Sequence, residues 1–217
     1  MRRFLRGAGW TFIGMGCFVL YFLVYQLVGT DLITNREQND LRQKLAQEWS
    51  APAPKTATKN GAALPVPATP ALGHALGVIQ IPKINLKKVV VQGANPRELA
   101  LGPGHIPSTA MPGQLGTFAV SGHRTTHGQP FYRLNELAKG DTITILTRFA
   151  VYTYKVTHLQ VVSPTAVEVL NNVRGDDGKL KAQIVLTTCN PRFSAAQRLI
   201  VFGDLTRSAA NTEGVGA

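Results

Sequence analysis

The chain of 217 residues is long enough for one ordinary domain with attachments, and at 44% apolar residues it can build a folded core. Lys and Arg number 23 against 12 Asp and Glu, and the net charge of +11 favours anionic partners such as membrane phospholipid or wall polymers. The basic residues are scattered, with no stripe interleaved with aromatics, which excludes nucleic acid as a partner.

The chain opens with "MRRFLR", a basic segment over residues 1–6 that favours a cytoplasmic N-terminus. Residues 7–29, "GAGWTFIGMGCFVLYFLVYQLVG", carry no charge. As a helix they cover about 35 Å, enough for a hydrocarbon core of roughly 30 Å. The run is longer than a signal-peptide core and "VGTDLITN" is a poor cleavage site, so an uncleaved anchor is expected, with Trp10 and Tyr25 at the two interfaces. Everything beyond residue 30 then lies outside the cytoplasm, a single-pass arrangement with an extracellular domain.

Residues 30–72 read as a stalk and linker. Asp31 to Ser50 is polar and helix-permissive, with Leu41, Leu45 and Trp49 four apart; one weak amphipathic face and a solvated stalk are both open. "APAPKTATKNGAALPVPATPAL" carries five prolines and cannot build a core. Extended, it reaches roughly 70 Å and would tether the domain away from the bilayer.

Residues 73–207 hold short β-rich runs bounded by Gly and Pro: "ALGVIQI", "KKVVVQ", "TFAVSG", "TITIL", "AVYTYKVTHLQVV", "AQIVLTT" and "RLIVFGDL". Seven or eight strands predict an all-β domain, an antiparallel barrel or sandwich. "NPRELA", "FYRLNEL" and "PTAVEVL" predict short helical turns in the connections. Residues 208–217 read as a flexible tail.

Of two cysteines, Cys17 lies in the apolar N-terminal run, so no disulfide joins it to Cys189. Two lone thiols make no structural zinc site and no His/Cys cluster has ligand spacing; no metal and no cofactor is expected. Pro191 stops the strand that carries Cys189. Arg198 opens the next run, and if the two strands are antiparallel neighbours the pair shares one rim. An inert buried thiol remains open at this point.

A nucleophilic thiol needs a proton acceptor or a cation. Among the five histidines, His74 reads as exposed, His158 as structural, His105 as hydrogen-bonded to its turn and His127 as solvated in a polar loop. His123 differs, because it follows the end of a strand in "GTFAVSGHRTTHG" and projects from a rim. Arg198 offers a fixed positive charge for an oxyanion.

"LTTC" with an arginine nine residues on, "SGHR" upstream and an N-terminal anchor resembles the sortases, membrane-tethered cysteine transpeptidases of Gram-positive bacteria. "GHRTTHGQPFYRLNELAKGD" and "TTCNPRFSAAQRLIV" are most similar to the class E type. The resemblance implies a closed or nearly closed β-barrel of about eight strands. It makes Cys189 the nucleophile, His123 the general acid/base and Arg198 the oxyanion-stabilising cation. Thr188, from the family's TLxTC signature, would shape the substrate groove; the signature's first position is Val185 here. The implied partners are secreted proteins bearing a C-terminal sorting signal, an amine acceptor of a peptidoglycan precursor or pilin, and the membrane. Ile106 stands where class E members commonly carry a tyrosine associated with LAxTG signals, which leaves LAxTG and LPxTG both open. A Cys/His wall-peptide hydrolase and a non-catalytic wall-binding β-domain are the rival readings.

Overall fold

The structure, a computed structural model, describes residues 2–25, 29–50, 68–212 and 214. The Pro-rich linker expected over 51–67 lies outside these residues. Helix α1 (Arg2–Val24) is long and apolar enough over Arg6–Val24 to cross a membrane. Its Trp10, Phe12 and Phe18 are exposed among the described residues.

Helix α2 (Thr30–Ser50) contains neither Gly nor Pro, is rich in Leu, Arg, Gln and Glu, and has Asp31 in its first turn. It is no solvated stalk. Thr34, Gln38, Leu41 and Leu45 recur at helical spacing along one buried stripe. Leu41 and Leu45 pack on Val78, Val89, Val91 and Leu146. The two polar members are satisfied. Gln38 accepts from Val89 N–H (2.8 Å) and donates to the carbonyls of Val89 (3.1 Å) and Leu101 (2.8 Å). Thr34 donates to Ala100 O at 2.9 Å.

Eight strands follow: β1 (Ala75–Ile81), β2 (Leu86–Gln92), β3 (Gly104–His105), β4 (Gly116–Ser121), β5 (Thr142–Leu146), β6 (Ala150–Val162), β7 (Ala182–Asn190) and β8 (Gln197–Ala210). They close into a barrel in the order β1-β2-β3-β4-β7-β8-β6-β5. Short helical turns occupy connections at Pro96–Leu99, Leu134–Glu136 and Val167–Leu170, where the sequence places them. β3 is the strand the sequence hides, two residues inside "GPGH". β8 runs through Ala210, paired with Ala150, so ordered sheet extends into the segment read as a tail.

The barrel is not wholly antiparallel. β2 pairs with β3, and β4 with β7, in parallel. Alternation decides what faces inward. Phe118 and Val120 of β4, Ile184 and Leu186 of β7, and Leu199 and Val201 of β8 fill the barrel core. Ala119, Val185 and Ile200 face outward into a separate apolar cluster with Ile106, Val162, Val169, Leu170 and Phe202.

Candidate active site

Cys189 and Arg198 are directly opposed on the antiparallel pair β7–β8. Opposed residues carry their side chains on one face, with Cβ atoms about 4.5–5.5 Å apart. By alternation that face is the one shared with Val185 and Ile200, so both groups stand outside the barrel at the end of the apolar cluster. Cys189 is half-buried and free.

On the other side of β7, the parallel register pairs Ser121 with Thr187, and Gly122 N–H continues it by donating to Thr187 O at 3.1 Å. His123 therefore leaves β4 at the level of Cys189. An antiparallel β4 would have carried it to the opposite rim. Gly122 permits the turn: a Cβ there would come within 2.7 Å of the fully buried Phe131 ring. Phe131 N–H donates to His123 O at 3.1 Å and closes the loop.

Thr188 faces the interior, 2% exposed, and donates its hydroxyl to Gly122 O at 2.8 Å. It fastens the strand of the cysteine to the strand of the histidine, and the hydroxyl is not offered to a groove. Ile106 is partly buried in the outer apolar cluster with Val169 and Leu170.

Two further residues stand beside these: Arg124, which the sequence reading did not single out, and His127, which it read as solvated in a polar loop. His127 stacks on His123, with ring centroids 4.6 Å apart and 23° between planes. Burial, and then the like charge of His127, hold the His123 pKa below the ordinary histidine value. Arg124 is buried beneath the cysteine. Its guanidinium donates to Cys189 O (3.2 Å), Asn190 Oδ1 (2.8 Å) and Asn135 Oδ1 (2.9 Å). Burial and the neighbouring Arg192 lower its pKa, while Cys189 acts in the opposite sense. Arg192 stacks over Tyr132 with its guanidinium carbon 4.0 Å from the ring centroid. Arg198 itself donates to the carbonyls of Ala195 and Gln197, both at 2.9 Å. Three guanidinium groups, those of Arg124, Arg192 and Arg198, thus lie around the end of β7 that carries Cys189.

The remaining histidines do other work. His105 is buried and hydrogen-bonds Gln92, Thr109 and the Ala110 carbonyl within its turn. His158 is stacked flat on Phe202. Among the described residues, no group of three His, Cys, Asp or Glu could hold a metal ion.

A family model described as the sortase domain matches residues 79–206. Sortase SrtE1 of Streptomyces coelicolor is 33% identical over 96% of this chain, which spans 59% of that relative's length. Sortase D of Bacillus subtilis is 31% identical, covering 92% of this chain and 94% of its own. The crystal structure of sortase E1 from Streptomyces coelicolor with a tripeptide in its active site superposes with a TM-score of 0.61 at 34% identity, over 65% of this chain and 94% of that one. Sortase E from Streptomyces avermitilis gives 0.59 at 33%, over 64% and 93%. Since the domain match begins within β1 and runs into β8, taking in Cys189, His123 and Arg198, the chain belongs to the sortase family.

Proposed function

We propose that this chain is a cysteine transpeptidase that cleaves an LPxTG- or LAxTG-like sorting signal between Thr and Gly and transfers the cargo to an amine of a peptidoglycan precursor or a pilin. One observation carries the reading: Cys189 is flanked on adjacent strands by Arg198 and by the end of the strand leading to His123, all at one rim. The thiolate attacks the Thr carbonyl. The Thr–Gly C–N bond breaks, a thioester forms, and His123 gives its proton to the departing glycine amine. The acceptor amine then attacks the thioester, returns a proton to His123 and releases the thiolate. Arg198, steadied by the carbonyls of Ala195 and Gln197, stabilises the oxyanion of both tetrahedral intermediates.

The outer apolar cluster ends at Cys189 and supports a groove for the signal's apolar residues, with Ile106 on its wall. A branched aliphatic group there, in place of a phenol, leaves apolar room for a proline ring. A change of one or two methylenes is worth about 1–3 kcal/mol, so LPxTG should be processed at least as well as LAxTG, with partial discrimination. In this reading α1 anchors the chain with its arginine-bearing end in the cytoplasm and the barrel outside.

The test incubates the detergent-solubilised full chain with LPxTG and LAxTG peptides, with and without a free amine. Cleavage lost in Cys189→Ala, and an amide product dependent on the amine, are the expected results. Cleavage that yields only hydrolysed peptide whatever the amine would point to a wall-peptide hydrolase. Cleavage retained by Cys189→Ala would end the cysteine mechanism.

A further inference from the structure

The loop after β4 turns back through three consecutive residues in the left-handed region: His127 (φ 54°), Gly128 (φ 68°) and Gln129 (φ 38°). Two of them carry side chains, for which this region is costly, so the surroundings must hold the loop in place. On its barrel side the loop is loosely backed. Gly128, Gln129 and Tyr132 border a cleft of about 390 Å³ facing Ile84 and Leu86.

The hold comes from α2. Asp31 accepts the Gly128 N–H on Oδ1 at 2.7 Å and the Gln129 side-chain amide on Oδ2 at 3.2 Å. Backbone amides presented by left-handed residues favour an anion, and bonds to an ionised carboxylate are the stronger kind. Contact continues along the helix, where a Cβ added to Gly128 would lie 3.4 Å from the Thr34 methyl and 3.7 Å from Asn35 Oδ1. Asn35 also accepts from Lys88 of β2 at 2.9 Å. The helix is itself fixed to the barrel through Gln38, Leu41 and Leu45. Asp31 therefore joins a rigid body to the loop whose preceding residue, His127, stacks on His123.

We infer that Asp31 is a positioning residue for the reaction, holding the His123–His127 stack through the Gly128 amide; the inference rests on the role proposed above for His123. A carboxylate from the first turn of the helix that follows the anchor thus sets the orientation of the acid/base on the barrel.

The full chain in detergent micelles, with Asp31→Ala and Asp31→Asn, provides the test. Steady-state cleavage of a sorting-signal peptide is one readout. The rate of diethyl pyrocarbonate modification at His123, mapped by mass spectrometry with exposed His158 as internal reference, is the other. Asp31→Ala should lower kcat about tenfold with KM within about twofold, since misplacement of a catalytic group is felt in turnover. Modification of His123 should accelerate several-fold relative to His158. Asp31→Asn keeps an acceptor for Gly128 and should recover part of both effects, which also covers failure of the alanine variant to fold. If modification of His123 is unchanged in both variants, Asp31 does not position it and the inference is overturned, whatever happens to turnover. If the parent chain cleaves neither peptide, the transpeptidase reading fails, and the modification rates still decide this one.

Discussion

Arg124 and Arg198 flank the same cysteine and differ in kind. Arg124 is buried, fixed by three acceptors on β7 and the Leu134–Glu136 turn, so it sets the position of the Cys189 backbone and contributes a steady positive field. Arg198 is half-exposed, held by the carbonyls of Ala195 and Gln197, and lies on the outer face of the barrel beside the Cys189 side chain. The arginine nine residues beyond the cysteine was legible because Pro191 ends one strand and Arg198 opens its antiparallel partner. Arg124 was not, since adjacency to His123 in sequence says nothing about which side chain turns inward. His127 escaped for a similar reason: a ring stack made inside a loop leaves no periodicity. It yields a prediction. His123 titrates below the ordinary value first through burial and then through the charge of His127. Replacing His127 by Gln removes the second cause only. The midpoint of His123, followed by NMR of the ring, should therefore move upward yet stay below about 6.5, the unperturbed value. A midpoint that stays put or falls would show that the stack carries no electrostatic coupling.

Among the elements, the strands with β-branched runs and Gly or Pro boundaries were readable, and seven of the eight fall where those runs lie. Pairing direction was not readable. Nothing in "TFAVSG" or "AQIVLTT" states that β4 and β7 run parallel, yet that pairing brings His123 to Cys189. Helix α2 was ambiguous because half of its buried stripe is polar. Thr34 and Gln38 look like solvent-facing residues until their partners, Ala100, Val89 and Leu101, are known. The apolar half is the part open to a stability test. Leu45 is 2% exposed against the barrel, and truncating a buried leucine costs about 2–5 kcal/mol. Because Leu45 ties α2 to the outer face of β1 and β2, Leu45→Ala should show its loss first as faster hydrogen exchange and proteolysis within Thr30–Ser50. Protection of α2 equal to the parent chain would mean that its hydrogen bonds alone secure it.

At the scale of the whole molecule, the docked helix changes what the Pro-rich segment can do. Ser50 ends a helix fastened to the barrel, and residue 68 approaches β1 of the same barrel, so the segment over 51–67 has both ends on one body. With α1 as an anchor, the distance between bilayer and barrel would be limited by the few residues from Val24 to Thr30, whose number allows at most about 20 Å. So short a connection, with α1 in a bilayer, would keep the barrel close to the headgroups, and under the function proposed above it would favour cargo and acceptors that travel in the membrane plane. Halving the segment should then leave processing of a membrane-inserted cargo unchanged. A steep loss would restore its role as a spacer. Under that reading α1 is a short mooring, and two-dimensional diffusion is the traffic it would meet.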